Sequence, residues 1–244
     1  MTIQLHQFPT GLGMPNLSPF CMKVENWLIL AGLPYEIHWQ PNPRKGPVFK
    51  LPFVVMDGET ICDSDRIIAR LSQKFGIDLD AGLTPQQRAI AHAFGRMLDE
   101  HTYWGLVYSR WLDPMAWPGF RKVFFGALPL PLRGLVSTLA QRQVRRDAWG
   151  HGFSRHPQAD IHARISADMK SLSELLGTQD FLFGDTPTTL DATAYAFLGN
   201  FWEAQIDTAA KPLLGAYPNL VAYCARMRQR CYGEASSNPK KKKK

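Results

Sequence analysis

The sequence predicts an α/β unit at the N-terminus followed by an all-α unit. Three observations carry this. Short β runs alternate with helical stretches over residues 1–76. Two of those runs, Phe53–Met56 and Glu59–Cys62, are joined by Asp57-Gly58, a strong hairpin signal. From residue 84 to 233 the legible periodicity is helical throughout. Residues 234–244 end in five lysines and offer nothing to bury, so a disordered tail is expected there.

Ile3 to Phe8 is an apolar run that reads as a strand, and Gly11, Gly13, Pro15 and Asn16 then make a loop. Ser18 is a good N-cap, Pro19 suits the first helical position, and Phe20, Val24, Trp27, Leu28 and Ala31 share one helical face. Gly32 stops that helix. Ser18 and Cys21 therefore lie near an amide-rich helix N-terminus, which stabilises an anion. Tyr35–Trp39 reads as a second strand, and the proline-rich stretch from Pro41 to Pro47 as a loop. Pro52 opens the third strand, where it is either an edge proline or a cis-proline. Asp63-Ser64 precedes a helix that fades at Gly76.

A helix is expected from Pro85 to Trp111, with Ile90, Ala93, Phe94, Met97, Leu98 and Leu106 along one side. Residues 112–157 mix apolar and basic side chains without a clear period. Ile161–Leu176 reads as a helix stopped by Gly177. Thr188 with Asp191 forms a capping box, and Leu213–Gly233 reads as one last helix.

Composition excludes several classes. With 45% hydrophobic and 20% charged residues the chain can bury a core. Its formal charge of +7 falls to +2 once Lys240–Lys244 are set aside, so no nucleic-acid partner is expected. Cys21, Cys62, Cys224 and Cys231 form no CxxC pair and no zinc spacing, so reduced thiols and a cytoplasmic location are expected. No secretory signal is apparent. The longest apolar stretch, Val123–Ala140, is broken by Pro129, Pro131 and Arg133, so stable membrane insertion is not expected.

Together the motifs resemble the glutathione transferase superfamily, over about residues 3–230. Ser18-Pro19-Phe20-Cys21, Leu51-Pro52 and Asp63-Ser64 are similar to the three landmarks of its thioredoxin-like domain. Gly184-Asp185-x-Pro187-Thr188-x-x-Asp191-Ala192 is similar to the capped helix of its helical domain. Within the superfamily, those motifs and the stretch Gly152-Phe153-Ser154-Arg155-His156 look most like the metaxin and failed-axon-connections branch, which includes bacterial members.

The resemblance implies glutathione as co-substrate, a small apolar electrophile as its partner, and a homodimer. Position by position, it puts Ser18 where serine-type members bind the glutathione sulfur, and Cys21 at the resolving position of a thioredoxin motif. Leu51, before Pro52, would offer its backbone to the glutathione cysteine. Asp63 and Ser64 would take the γ-glutamyl group, with Asp standing where Glu is usual, and Lys50 the glycyl carboxylate. Tyr103, Trp104, Tyr108 and Trp111 fall where the superfamily lines its apolar substrate site. Plainer roles exist for each: Asp63-Ser64 as a simple cap, Lys50 as a solvated lysine, the four aromatics as core. His151, Arg155 and His156 fit an anion site or a structural cluster equally. The rival functions are a non-catalytic interaction or transport module of metaxin type, and Cys21-based thiol exchange with glutathione.

Overall fold

The computed structural model describes residues 2–233. The tail, 234–244, lies outside the described residues. Ile3–Gln7 forms the inner strand β1, with Ile3, Leu5 and Gln7 buried and the alternate residues half-buried. It pairs in parallel with β2 (Tyr35–Trp39) and antiparallel with β3 (Phe53–Met56), which pairs antiparallel with β4 (Glu59–Cys62). The sheet order is β2-β1-β3-β4. Asp57 (φ 49°) and Gly58 (φ 81°) both take the left-handed region, as a two-residue hairpin requires. Helices α1 (Pro19–Leu30) and α2 (Ser64–Phe75) follow strands β1 and β4.

The second unit is entirely helical. Thr84 and Gln87 close a capping box at the start of α3 (Pro85–Arg96). The helical path then runs through a π-turn at Met97–Thr102, α4 (Tyr103–Val107) and a second π-turn at Tyr108–Leu112. Next come α5 (Trp117–Phe125), α6 (Leu130–His151), α7 (Gln158–Leu176), α8 (Thr189–Trp202), α9 (Lys211–Gly215) and α10 (Pro218–Tyr232).

Two expectations change here. Residues 112–157, which show no period, hold α5 and α6. Pro129 caps α6 and Pro131 lies in its first turn, where a missing N–H breaks no helical bond. The single last helix from Leu213 is two, because Pro218 cannot continue α9 and instead starts α10. Among the described residues no helix is long and apolar enough to cross a membrane.

Two cores flank α1. On the sheet side Val24, Trp27 and Leu28 pack with Leu5, Val54, Ile67 and Leu71. On the other side Met22 joins Tyr195, Phe197 and Leu198 of α8. The α8 cap is also buried: Asp191 Oδ2 accepts from the Thr188 N–H and hydroxyl, both at 2.8 Å, and Oδ1 from the Leu182 N–H and the Tyr223 hydroxyl.

Enclosed on both sides, α1 must satisfy three polar residues in its middle. Glu25 accepts from Gln7 Nε2 (2.9 Å) and the Tyr35 hydroxyl (3.0 Å), tying the helix to β1 and β2. Asn26 donates to the Ala192 carbonyl of α8 and accepts from the Tyr232 hydroxyl of α10. Lys23, 2% exposed, donates to Asp65 Oδ1 of α2 (2.5 Å) and to Asp99 Oδ2 (2.7 Å) in the first π-turn. Lys23→Met leaves the buried Asp99 short of its counter-charge and should cost about 3–5 kcal/mol, the range for breaking a buried ion pair. Urea denaturation checks this, and adding Asp99→Asn should recover part of the loss.

Candidate functional site at the start of helix α1

Ser18 has extended backbone (φ −90°, ψ 119°), as a residue before proline must, and caps α1. Its Oγ accepts from the Cys21 N–H at 3.4 Å, and its O–H is within hydrogen-bonding reach of the Cys21 thiol. The half-buried hydroxyl is thus a donor held at the positive end of a helix.

The loop before Ser18 is clamped from the helical unit. Asn16, fully buried, donates to the Phe8 carbonyl and accepts from the Ser18 N–H at 2.9 Å. Asn200 of α8 donates to the Asn16 carbonyl. Arg110 donates to the Leu17 carbonyl (2.8 Å), and to the Asn200 carbonyl and Oδ1. Burial pulls the Arg110 guanidinium down to about 9, which leaves it charged at neutral pH. Its acceptors are carbonyl groups, so a cation stands one residue behind Ser18.

Cys21, one turn into α1, faces the other way. It is fully buried with Leu51 and Phe53, and burial pushes its thiol up to about 12 despite hydrogen bonds from Ser18 and the Phe8 backbone. Leu51 and Pro52 are joined by a cis peptide bond, and the Leu51 N–H and C=O have no partner among the described residues. Lys50 is exposed beside them.

Asp63 and Ser64 stand at the start of α2. Asp63 Oδ1 caps the helix by accepting from the Asp65 and Arg66 N–H groups, so this carboxylate has a structural role. The Ser64 hydroxyl has no partner among the described residues. It lines a cleft of about 210 Å³ with Phe20, Asp63, Arg96, Asp99, Tyr103 and Trp104. Asp65 and Arg96 pair across the edge of this cleft, and Arg96 also donates to Asp99 Oδ2 (2.7 Å). Burial pushes the Asp65 carboxyl up, but Lys23 and Arg96 outweigh it and hold it below the usual range. For the more deeply buried Asp99, burial prevails over Lys23 and raises it. Asp99 Oδ1 is buried without a partner.

Of the four candidate aromatics, Tyr103 and Trp104 line the cleft; Tyr108 and Trp111 do not. Tyr103 packs on Phe20 and Trp104 stacks on His151. Tyr108 is packed against the helical core, and Trp111 lies among Trp117, Phe120, Phe124 and Phe125. Arg155 lies over the Trp149 ring, so this part of the basic cluster binds its own chain. Sequence reasoning missed Asn16, Lys23, Asp99, Arg110 and Asn200. One signal was available: Lys23 and Glu25 interrupt a helix otherwise fit for burial on both sides. Among the described residues no group of His, Cys, Asp and Glu is placed to hold a metal.

The architecture is that of a thioredoxin-like domain joined to a helical domain, with a serine at the first helix. Residues 19–116 match the family model "Glutathione S-transferase N-terminal domain", and residues 165–227 match "Glutathione S-transferase, C-terminal domain". The chain is 34% identical over 242 residues to Failed axon connections of Drosophila melanogaster, covering 94% of this chain and 58% of that protein. It is 32% identical over 241 residues to the isoprene-epoxide–glutathione S-transferase of Rhodococcus sp. (strain AD45), covering 93% of this chain and 98% of that one. Metaxin-1 of Mus musculus is 28% identical over 92% of this chain and 74% of its own. The fold is shared with a glutathione S-transferase from Methylobacterium radiotolerans solved with glutathione sulfonate (TM-score 0.59, 19% identity, 100% and 99% of the two chains). The protein belongs to the glutathione S-transferase family, in its metaxin and failed-axon-connections branch.

The burial pattern gives a direct chemical test. At about pH 8, near the ordinary thiol range, iodoacetamide should label half-exposed Cys62 and spare Cys21, Cys224 and Cys231 in the folded protein. Mass spectrometry checks this; rapid labelling of Cys21 would show that α1 opens.

Proposed function

We propose that the protein is a glutathione transferase that uses Ser18 to activate sulfur against an apolar electrophile. The observation that carries this reading is the Ser18 hydroxyl, half-buried at a helix N-terminus with only a neutral, buried thiol beside it and the Arg110 cation one residue behind it. Glutathione supplies the nucleophilic sulfur. The residues of this chain bind it, orient it and favour its ionised form. A hydroxyl donor stabilises a thiolate more than a thiol, and one good charge-assisted hydrogen bond is worth about one pKa unit, roughly 1.4 kcal/mol.

Other groups fit the rest of an extended, zwitterionic tripeptide. The free Leu51 N–H and C=O can pair with its backbone as an added strand. The Ser64 hydroxyl, at the positive end of α2, suits the γ-glutamyl carboxylate. Asp65 and Asp99 line the same cleft and supply negative charge for the ammonium, a role the capping Asp63 is less free to take. Lys50 is exposed near the glycyl end. Tyr103 and Trp104 offer apolar surface for the electrophile. Cys21 is held protonated by burial, which disfavours thiol exchange through it.

A second reading, an interaction module that keeps the fold without the chemistry, draws on the likeness to Failed axon connections and metaxin-1. Two measurements separate them. Titration calorimetry at millimolar glutathione should show binding, weakened by Ser64→Ala by about 1–3 kcal/mol; absence of any heat with the wild type sinks the transferase reading. Ser18→Ala should lower conjugation by one to two orders of magnitude, roughly 1.4–2.7 kcal/mol of transition-state stabilisation. Cys21→Ser should keep most of the activity, and the reverse result would make this a cysteine-type enzyme.

A further inference from the structure

More than half of the exposed large apolar residues lie on one element. Leu130, Leu132, Leu135, Val136 and Leu139 all lie in the first half of α6, with Leu130 78% and Leu135 60% exposed. Residues 132, 135, 136 and 139 have the spacing of one helical face. They form a stripe that nothing among the described residues covers.

Carried on at the same spacing, that face reaches Arg142 and Arg146, both exposed. The α5–α6 pair, residues 117–151, holds six basic side chains and one acidic, a net +5. With Lys240–Lys244 set aside, the remainder of the chain is net −3. The positive charge of the body is therefore concentrated where its apolar surface is concentrated.

We propose that this face of α6 rests on an anionic lipid surface, with the leucine stripe at the acyl boundary and Arg142 and Arg146 among the headgroups. A cationic helix with an exposed apolar stripe has the composition of an interfacial helix, and α6 is not apolar enough to span. Charge argues against a second copy of the chain as the cover. A two-fold contact through this face would set one +5 helix pair against another. A nucleic acid would engage the arginines but leave the leucine stripe in water.

The test is flotation of the full chain with vesicles of phosphatidylcholine alone and of phosphatidylcholine mixed equally with phosphatidylglycerol. The wild type should float with the mixed vesicles and stay behind with the neutral ones. Leu135→Glu with Leu139→Glu, at exposed positions that leave the fold intact, should reduce flotation at least tenfold. Arg142→Gln with Arg146→Gln should reduce it roughly 25-fold, from about fivefold per cation near an anionic surface. A chain with Lys240–Lys244 replaced by glutamine should keep the leucine-dependent part. The proposal is overturned by equal flotation with both vesicle types, by leucine variants that float like the wild type, or by flotation that vanishes with the lysine run alone. It is also overturned if light scattering shows a wild-type dimer that the leucine variants dissociate.

Discussion

Helix α1 is enclosed on every side, and much of the architecture follows from satisfying what it carries inside. An unpaired polar or charged group in that position costs several kcal/mol. Lys23, Glu25 and Asn26 each draw a partner from a different direction: Asp65 and Asp99, Gln7 and Tyr35, Ala192 and Tyr232. These bonds fix α1 against the sheet, against α2 and against α8 and α10 at once. The two units are therefore joined by polar bonds through one buried helix as well as by apolar packing.

The same enclosure sorts two candidate residues one turn apart. Ser18 sits at the helix end, where the amides lack helical partners and the side chain is half-buried. Cys21 is one turn further into the protein, where its thiolate would have to be desolvated. Position along the helix, more than intrinsic chemistry, decides which of them can meet a ligand. The loop that presents Ser18 is held by Asn200 and Arg110, so the helical unit sets the geometry of a site built on the sheet unit.

The α5–α6 pair is the part least dictated by the core. It touches the β1–α1 loop through Phe124 against Phe8, and its inner aromatic cluster holds it there. Its outer face is free of such obligations, and it carries leucines and arginines where a solvated surface would carry mixed polar residues.

Much was legible in the sequence because local rules suffice for it. A short apolar run set β1, Asp57-Gly58 set the hairpin, Ser18-Pro19 and Thr188 with Asp191 set two helix starts, and the order of these elements gave the fold class. Each depends on residues within a few positions of one another. Residues 112–157 were not legible, because α6 turns apolar residues outward and its periodicity no longer marks a buried face. The break at Pro218 was missed because one apolar pattern runs through both α9 and α10. Only tertiary structure decided that Asp63 is tied up as a cap while the Ser64 hydroxyl stays unpaired on a cleft. It alone brought Arg110 to Leu17, 93 residues away, and Lys23 to Asp99, 76 residues away. Such partners are chosen by which charges the fold buries together, and burial is a property of the whole chain.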